Sequence, residues 1–218
     1  MNTLKLESIL HTDKIGDGMF QNHTDMHAVA IPEGIKKIGA FSFSGCQNLR
    51  IITFPNSLLC IGESAFAVCG SLQRISIPEN VEIIGDEAFS SCSGLEEVTI
   101  PSSVEEIKYG SFAGCTAMTS ITFPKGLKRI GDFALIDCSE LTSITLPEGL
   151  TEIGESTFSG CTQLSHLVIP SSVKKIGKAA FEDCPNLSDE ILPSAFRLNA
   201  DDIFGRGIDN ESADWEEE

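Results

Sequence analysis

Eight cysteines are the residues of this 218-residue chain best suited to redox chemistry or metal binding. Seven of them recur at intervals of 23 residues: Cys46, Cys69, Cys92, Cys115, Cys138, Cys161 and Cys184. Such a column supplies one thiol per turn of a repeat with parallel side-chain directions, which suits neither a disulfide nor four converging zinc ligands. We predict a buried ladder of free thiols, with Cys60, outside the column, as a partly covered thiol.

A second group with ligand chemistry lies near the N terminus. It comprises His11, Asp13, Asp17, His23, Asp25 and His27. His23 and His27 would face one way on a helix, a spacing that metal sites use. Polar loops at the end of a repeat array also collect such residues without binding anything, so we predict no metal and no cofactor.

Signatures of common enzymes are missing from the sequence. There is no G-x-S-x-G, G-x-x-x-x-G-K-[ST], H-E-x-x-H or G-x-G-x-x-G motif, which are the patterns of serine hydrolases, phosphate-binding loops, zinc proteases and dinucleotide-binding proteins. We therefore predict that the protein is not an enzyme.

Charge and hydropathy limit the partners and the compartment. The 15 basic and 32 acidic side chains give a formal charge of −17, which disfavours nucleic acid as a partner. The sequence contains no run of about 20 apolar residues, so we predict no insertion into a membrane. Residues 1–20 lack the pattern of a signal peptide, so the sequence as written predicts a cytoplasmic protein, or a cell-surface or secreted one if an export segment has been removed.

A proline recurs every 23 residues from Pro32 to Pro193, which identifies the chain as a repeat protein. The repeats must therefore position all of these residues. Three further columns accompany the prolines and the cysteines: an isoleucine from Ile38 to Ile176, a phenylalanine from Phe43 to Phe181 that is replaced by Leu135, and a leucine from Leu49 to Leu187. The consensus is P-x-x-V/L-x-x-I-G-x-x-A-F-x-x-C-x-x-L-x-x-I-x-I/F. One unit cannot bury these apolar residues alone, so stacked units must share a continuous core.

Each part of the consensus has a physical interpretation. The alternation in I-x-I/F predicts a half-buried strand, which the proline ends. V/L-x-x-I predicts a second extended segment, and A-F-x-x-C a short helix whose start favours the acids Glu63, Asp86, Asp132 and Glu155. The sequence thus predicts an α/β solenoid. At Lys108, which stands where other turns have glycine after isoleucine, we predict strain or local rebuilding.

The consensus resembles the short leucine-rich repeats of BspA-like proteins over residues 9–192. The resemblance implies a curved, right-handed coil with a parallel sheet on its concave face and short helices on the outer side. It also implies a binding protein, often at bacterial surfaces.

The ends of the chain depart from the consensus as capping units do. We predict a degenerate capping repeat at 1–31, seven repeats at 32–192, and a C-terminal cap with an acidic tail at 193–218. Pro193, Ala195, Phe196, Leu198, Ile203 and Phe204 are predicted to cover the last turn. Trp215 lies between Asp214 and Glu216, in either a solvated tail or a peptide that docks on another surface such as the concave face.

Recognition is expected at strand positions that project away from the core. We predict that the concave face binds an unidentified protein or peptide through Arg50, Arg74, Glu97, Ser120, Ser143 and His166. The alternative is a structural or self-assembling protein, a weak homo-oligomer, that associates through an apolar patch of Leu59, Cys60 and Ile83 on the opposite face. Charged neighbours on that face are predicted to pair, Glu105 and Glu106 with Lys128 and Arg129, and Glu152 with Lys175.

Overall fold

The computed structural model describes residues 3–5 and 12–206, which coil into a solenoid of about seven turns. Most turns carry two short strands, and from the second turn onward a strand pairs in parallel with its counterpart 23 residues away in a neighbouring turn, as Ser120 does with Glu97; Thr3 in the first strand pairs with Ala28. Two ladders of strands therefore run along the solenoid. The predicted parallel solenoid is confirmed.

The first ladder consists of three-residue strands that follow the leucine column. They are β1 (Thr3–Lys5), β3 (Ala28–Ala30), β5 (Ile51–Thr53), β8 (Glu97–Thr99), β10 (Ser120–Thr122), β12 (Ser143–Thr145) and β14 (His166–Val168). From β5 onward the central residue is buried and its two neighbours are exposed, as the alternation predicts. The ladder falls into three pieces, β1-β3-β5, β8-β10 and β12-β14.

The second ladder consists of two-residue strands that end in the isoleucine column. They are β2 (Lys14–Ile15), β4 (Lys37–Ile38), β6 (Cys60–Ile61), β7 (Ile83–Ile84), β9 (Glu106–Ile107), β11 (Arg129–Ile130), β13 (Glu152–Ile153) and β15 (Lys175–Ile176). It falls into two sheets, and the missing pairing is the one between β7 and β9.

Lys108 explains the gap between β7 and β9. From Gly39 onward a glycine follows the isoleucine in the other turns, where the backbone of the preceding turn leaves little room for a side chain. At Gly154, an added Cβ would lie 2.5 Å from the Asp132 amide nitrogen and 2.6 Å from the Gly131 carbonyl carbon. Lys108 brings a Cβ to the equivalent position, and β9 does not pair with the preceding turn. The local rebuilding predicted at Lys108 is confirmed.

The A-F-x-x-C segments do not form the predicted short helices. In every repeat the A-F-x-x-C segment forms consecutive turns, and positive φ occurs at the residue before the segment and at the residue before its cysteine, for example Ser64 (47°) and Val68 (61°). Alternate backbone N–H groups donate to the next turn, as Phe66 does to the Ala88 carbonyl at 2.8 Å, while those between them donate to the carbonyl three residues earlier, as Ala67 does to Ser64 at 3.1 Å. An α-helix satisfies all of its inner N–H groups internally, whereas here every second hydrogen bond joins two turns.

The acids that follow the glycine column consequently cap no helix. Asp132 is the example, since its Oδ1 accepts the amide of Glu155 in the next turn at 2.9 Å. The role predicted for Glu63, Asp86, Asp132 and Glu155 at the start of a helix is therefore wrong, because these turns contain no helix.

The core is built from stacked columns. Phenylalanine rings of adjacent turns stack face to face, with centroids 5.1 Å apart for Phe43 and Phe66, and Leu135 interrupts the stack. Each column cysteine is a buried free thiol, and its Sγ donates to the phenylalanine or leucine carbonyl 26 residues earlier, as Cys92 does to Phe66 at 3.1 Å. The predicted thiol ladder is confirmed.

The ends of the described solenoid are covered differently from one another. At the N-terminal end Phe20 continues the ring stack, 5.2 Å from Phe43. The C-terminal end carries two 3-10 helices, Asp189–Ile191 and Ser194–Asn199, and the α-helix α1 (Ala200–Ile203). Ile203 and Phe204 are buried as predicted, but Leu198 is 98% exposed and covers nothing. Trp215 lies outside the described residues.

Candidate interaction site on the strand face

The strand face consists of the outward residues of the first ladder and of the residue preceding each strand. All six residues predicted there are exposed: Arg50, Arg74, Glu97, Ser120, Ser143 and His166. The parallel register places Glu97 between Arg74 and Ser120 and Ser143 beside His166. Arg50 lies one position earlier, beside Ile51.

The charged part of the strand face lies around Arg74, whose guanidinium is 3.5 Å from Glu96 Oε2. The arginine therefore forms its ion pair with Glu96 rather than with Glu97. Both side chains are well exposed, so the pair adds about 0–1 kcal/mol to stability. The backbone of Arg74 pairs with that of Glu97 only as an isolated β-bridge, so the turn of Arg74 contains no strand.

A groove of about 710 Å³ opens on the strand face beside β10, β12 and β14. It lies where the first ladder is interrupted between β10 and β12. Hydroxyl-bearing side chains and apolar side chains line it together: Ser120, Thr122, Ser143 and Thr145 with Phe123, Leu146 and Val168, and also Lys125 and Glu148. Val168 is 77% exposed. The groove thus offers hydrogen-bonding groups beside a hydrophobic surface.

The sequence pointed to part of this groove. Ser120 and Ser143 belong to the predicted site, whereas His166 is not among the lining residues. Thr122 and Thr145 belong to a threonine-rich column, and threonine is common in exposed strands whether or not they bind anything. Val168 departs from that column, and this departure was the available signal in the sequence for the groove. Nothing in the periodicity marked Lys125 or Glu148, which follow the strands.

The apolar patch predicted on the second ladder is brought together by the fold. Cys60 pairs in register with Ile83, and Leu59 and Ile83 are 40% and 44% exposed. Burial raises the pKa of the Cys60 thiol, while the charges of Lys37 and Lys108 oppose that shift. The thiol is therefore neutral at physiological pH. The patch borders the unpaired edge of β7.

Ion pairs link the later turns of the second ladder. Arg129 lies 2.6 Å from Glu106 and 3.4 Å from Glu152, and Lys175 lies 2.7 Å from Glu152. The hydrogen bond from Lys175 is the largest of the effects that lower the pKa of Glu152. Two of the predicted pairs are confirmed, while Glu105 and Lys128 form no ion pair with any residue that the structure describes.

Among the described residues, His23 and His27 belong to no metal-binding cluster. In the part of the chain that the structure describes, no three His, Cys, Asp or Glu side chains are placed to hold a metal ion. The Nδ1 atoms of His23 and His27 face carbonyl oxygens of their own loop, at 3.3 Å and 2.8 Å. His11 lies outside the described residues. No helix among the described residues has the length and apolar character needed to cross a membrane.

Stacked 23-residue turns, two parallel ladders and a shared phenylalanine and cysteine core define a leucine-rich repeat solenoid. The family model described as BspA type leucine rich repeat region matches residues 13–128 and 84–207, with six copies. The chain therefore belongs to the BspA-type leucine-rich repeat family, whose members are typically protein-interaction or surface-adhesion modules.

Solved structures of leucine-rich repeat proteins resemble the chain. A protein of T. pallidum is 27% identical over 92% of this chain and 81% of its own, with a TM-score of 0.60. A cell surface protein of Faecalibacterium prausnitzii is 28% identical over 79% of this chain and 61% of its own, with a TM-score of 0.44. A Bacteroides ovatus protein is 23% identical over 80% and 81%, with a TM-score of 0.37. No curated protein matches the chain.

Proposed function

We propose that the protein is a non-enzymatic interaction module whose strand face binds an extended segment of another protein. The groove beside β10, β12 and β14 is the observation that carries this proposal, since it is open to solvent and lies on the face where the solenoid presents side chains uncommitted to the core. Members of the family are typically interaction modules, which supports the same assignment.

The chemistry of the groove favours a peptide with little net charge. The hydroxyls of Thr122 and Thr145 can donate to and accept from a peptide backbone, and Val168 offers an apolar contact. Lys125 and Glu148 have opposite charges, so neither a strongly acidic nor a strongly basic segment gains from the groove. Farther along the face, Arg74, Glu96 and Glu97 would fix the direction of the bound segment through their alternating charges.

Filling the groove should weaken binding. A protein captured by the parent chain, from the source cell or from its surroundings, should bind Thr145→Tyr at least about tenfold more weakly, because a bulky ring at this position occupies the groove. Titration calorimetry with the captured protein measures the change. Thr53→Tyr is the matched control, because Thr53 holds the same position on β5 outside the groove. Equal affinities of all three proteins would place the binding site elsewhere.

A second candidate function is self-association through the patch of Leu59, Cys60 and Ile83. The observation that favours it is that Leu59 and Ile83, both large and apolar, are exposed on adjacent turns, as the side chains of contact surfaces are. Ile83→Glu should then lower the mass measured by light scattering at high concentration from dimer to monomer, because it places a charge in the contact. A monomeric mass for the parent removes this candidate.

A further inference from the structure

The last turn of the second ladder leaves an open edge within the described residues. In the preceding turn, the Thr151 and Ile153 carbonyls accept the amides of Lys174 and Gly177 at 2.8 Å and 2.9 Å. No backbone N–H of the described residues donates in the same way to the carbonyls of Lys174 and Ile176. The edge of β15 therefore offers two backbone acceptors to an extended segment.

Ile176 shows that the core is also incompletely covered at this edge. The other isoleucines of its column are at most 1% exposed: Ile15, Ile38, Ile61, Ile84, Ile107, Ile130 and Ile153. Ile176 is only partly buried, and so is Phe196 from the C-terminal cap. An apolar side chain placed over these two residues would complete the column as a further turn does elsewhere.

A groove of about 560 Å³ joins the edge of β15 to the C-terminal cap. Its charged lining residues are Lys174, Lys175, Lys178 and Asp202. Lys175 bonds Glu152, whereas Lys174 and Lys178 form no ion pair with any described residue. Excess positive charge in an otherwise strongly acidic protein fits a negatively charged occupant.

The chain itself supplies a segment with the required chemistry. Residues 207–218 contain six acids, no lysine or arginine, and the only tryptophan, Trp215. The groove is lined by Ile203, three residues before the described chain ends at Arg206. Trp215 is the ninth residue after Arg206, and an extended chain of that length spans about 30 Å, so the segment has ample reach.

We propose that the acidic segment 207–218 docks in the groove of its own chain. Trp215 covers Ile176 and Phe196, the neighbouring carboxylates meet Lys174 and Lys178, and backbone amides of the segment extend the second ladder past β15. The sequence left open whether this segment is solvated or docks on a surface such as the strand face. The proposal places it instead at the end of the second ladder and leaves the strand face available to a partner.

Trp215 fluorescence tests the proposal in the full chain, because this tryptophan is the only one. In the parent, its emission should lie to the blue of N-acetyltryptophanamide, with weaker quenching by acrylamide. The variant Lys174→Glu should lower the ratio of docked to free segment about tenfold, which shifts emission to the red and increases quenching. The control Lys36→Glu makes the same charge change in the same column at the other end of the solenoid and should leave both readings unchanged.

Four results would overturn the proposal. Trp215 in the parent is as accessible as N-acetyltryptophanamide, or the control exposes it as much as the groove variant does, or neither variant exposes it. Protection that decreases on dilution would assign the groove to the segment of a second copy and would likewise contradict docking within one chain. Circular dichroism of each variant verifies that the solenoid remains folded.

Discussion

Phe66→Ala is expected to lower the free energy of unfolding by about 3–5 kcal/mol. The Phe66 ring is fully buried and stacks on Phe43 and Phe89 at centroid distances of 5.1 Å and 5.4 Å. Phe54 approaches its edge at 5.6 Å. Removing the ring opens a cavity between turns that rely on one another for stability. Urea denaturation followed by circular dichroism measures the loss.

Two matched variants separate the cavity from a general sensitivity of this turn. Phe66→Leu should cost less than about 1.5 kcal/mol, because Leu135 occupies the same column and is itself fully buried. Phe41→Ala removes a phenylalanine that is 39% exposed and should cost far less than Phe66→Ala. If Phe66→Ala were no more costly than Phe41→Ala, the ring stack would not be a main source of stability.

Gly154→Ala should lower the free energy of unfolding by about 1–3 kcal/mol. The new methyl group would lie 2.5 Å from the Asp132 amide nitrogen and 2.6 Å from the Gly131 carbonyl carbon, so the backbones of adjacent turns must separate. We expect the pairing of β11 with β13 to weaken, as the pairing of β7 with β9 is lost at Lys108. Hydrogen exchange of the amides in β13 reports this directly.

Gly126→Ala is the control for the effect of the extra carbon alone. A Cβ at Gly126 would come no closer than 3.8 Å to another turn, and neither Gly126 nor Gly154 has a positive φ. The two substitutions therefore change the entropy of the unfolded chain in the same way. Equal stabilities of the two variants would contradict the steric explanation of the glycine column, and with it the explanation of the gap at Lys108.

Much of the fold follows from the columns of the sequence. Phe66, Cys92 and Ile153 recur at a fixed interval with copies of themselves, and a short unit can bury such residues only by stacking on its neighbours. The local prediction failed in the A-F-x-x-C segment. There, every second backbone N–H donates to a carbonyl of the next turn, a partner that only stacking supplies, and a helix does not form.

The sequence by itself determined the period, the core columns, the free thiols and the set of strand residues that face outward, because each of these depends on residue type at a repeated position. Only the tertiary structure decided that the first ladder separates between β5 and β8 and between β10 and β12, where the groove on the strand face opens, and that β15 leaves an open edge. Lys108 marked the gap between β7 and β9 in the sequence, whereas the other breaks arise from the packing of whole turns, which no single column records.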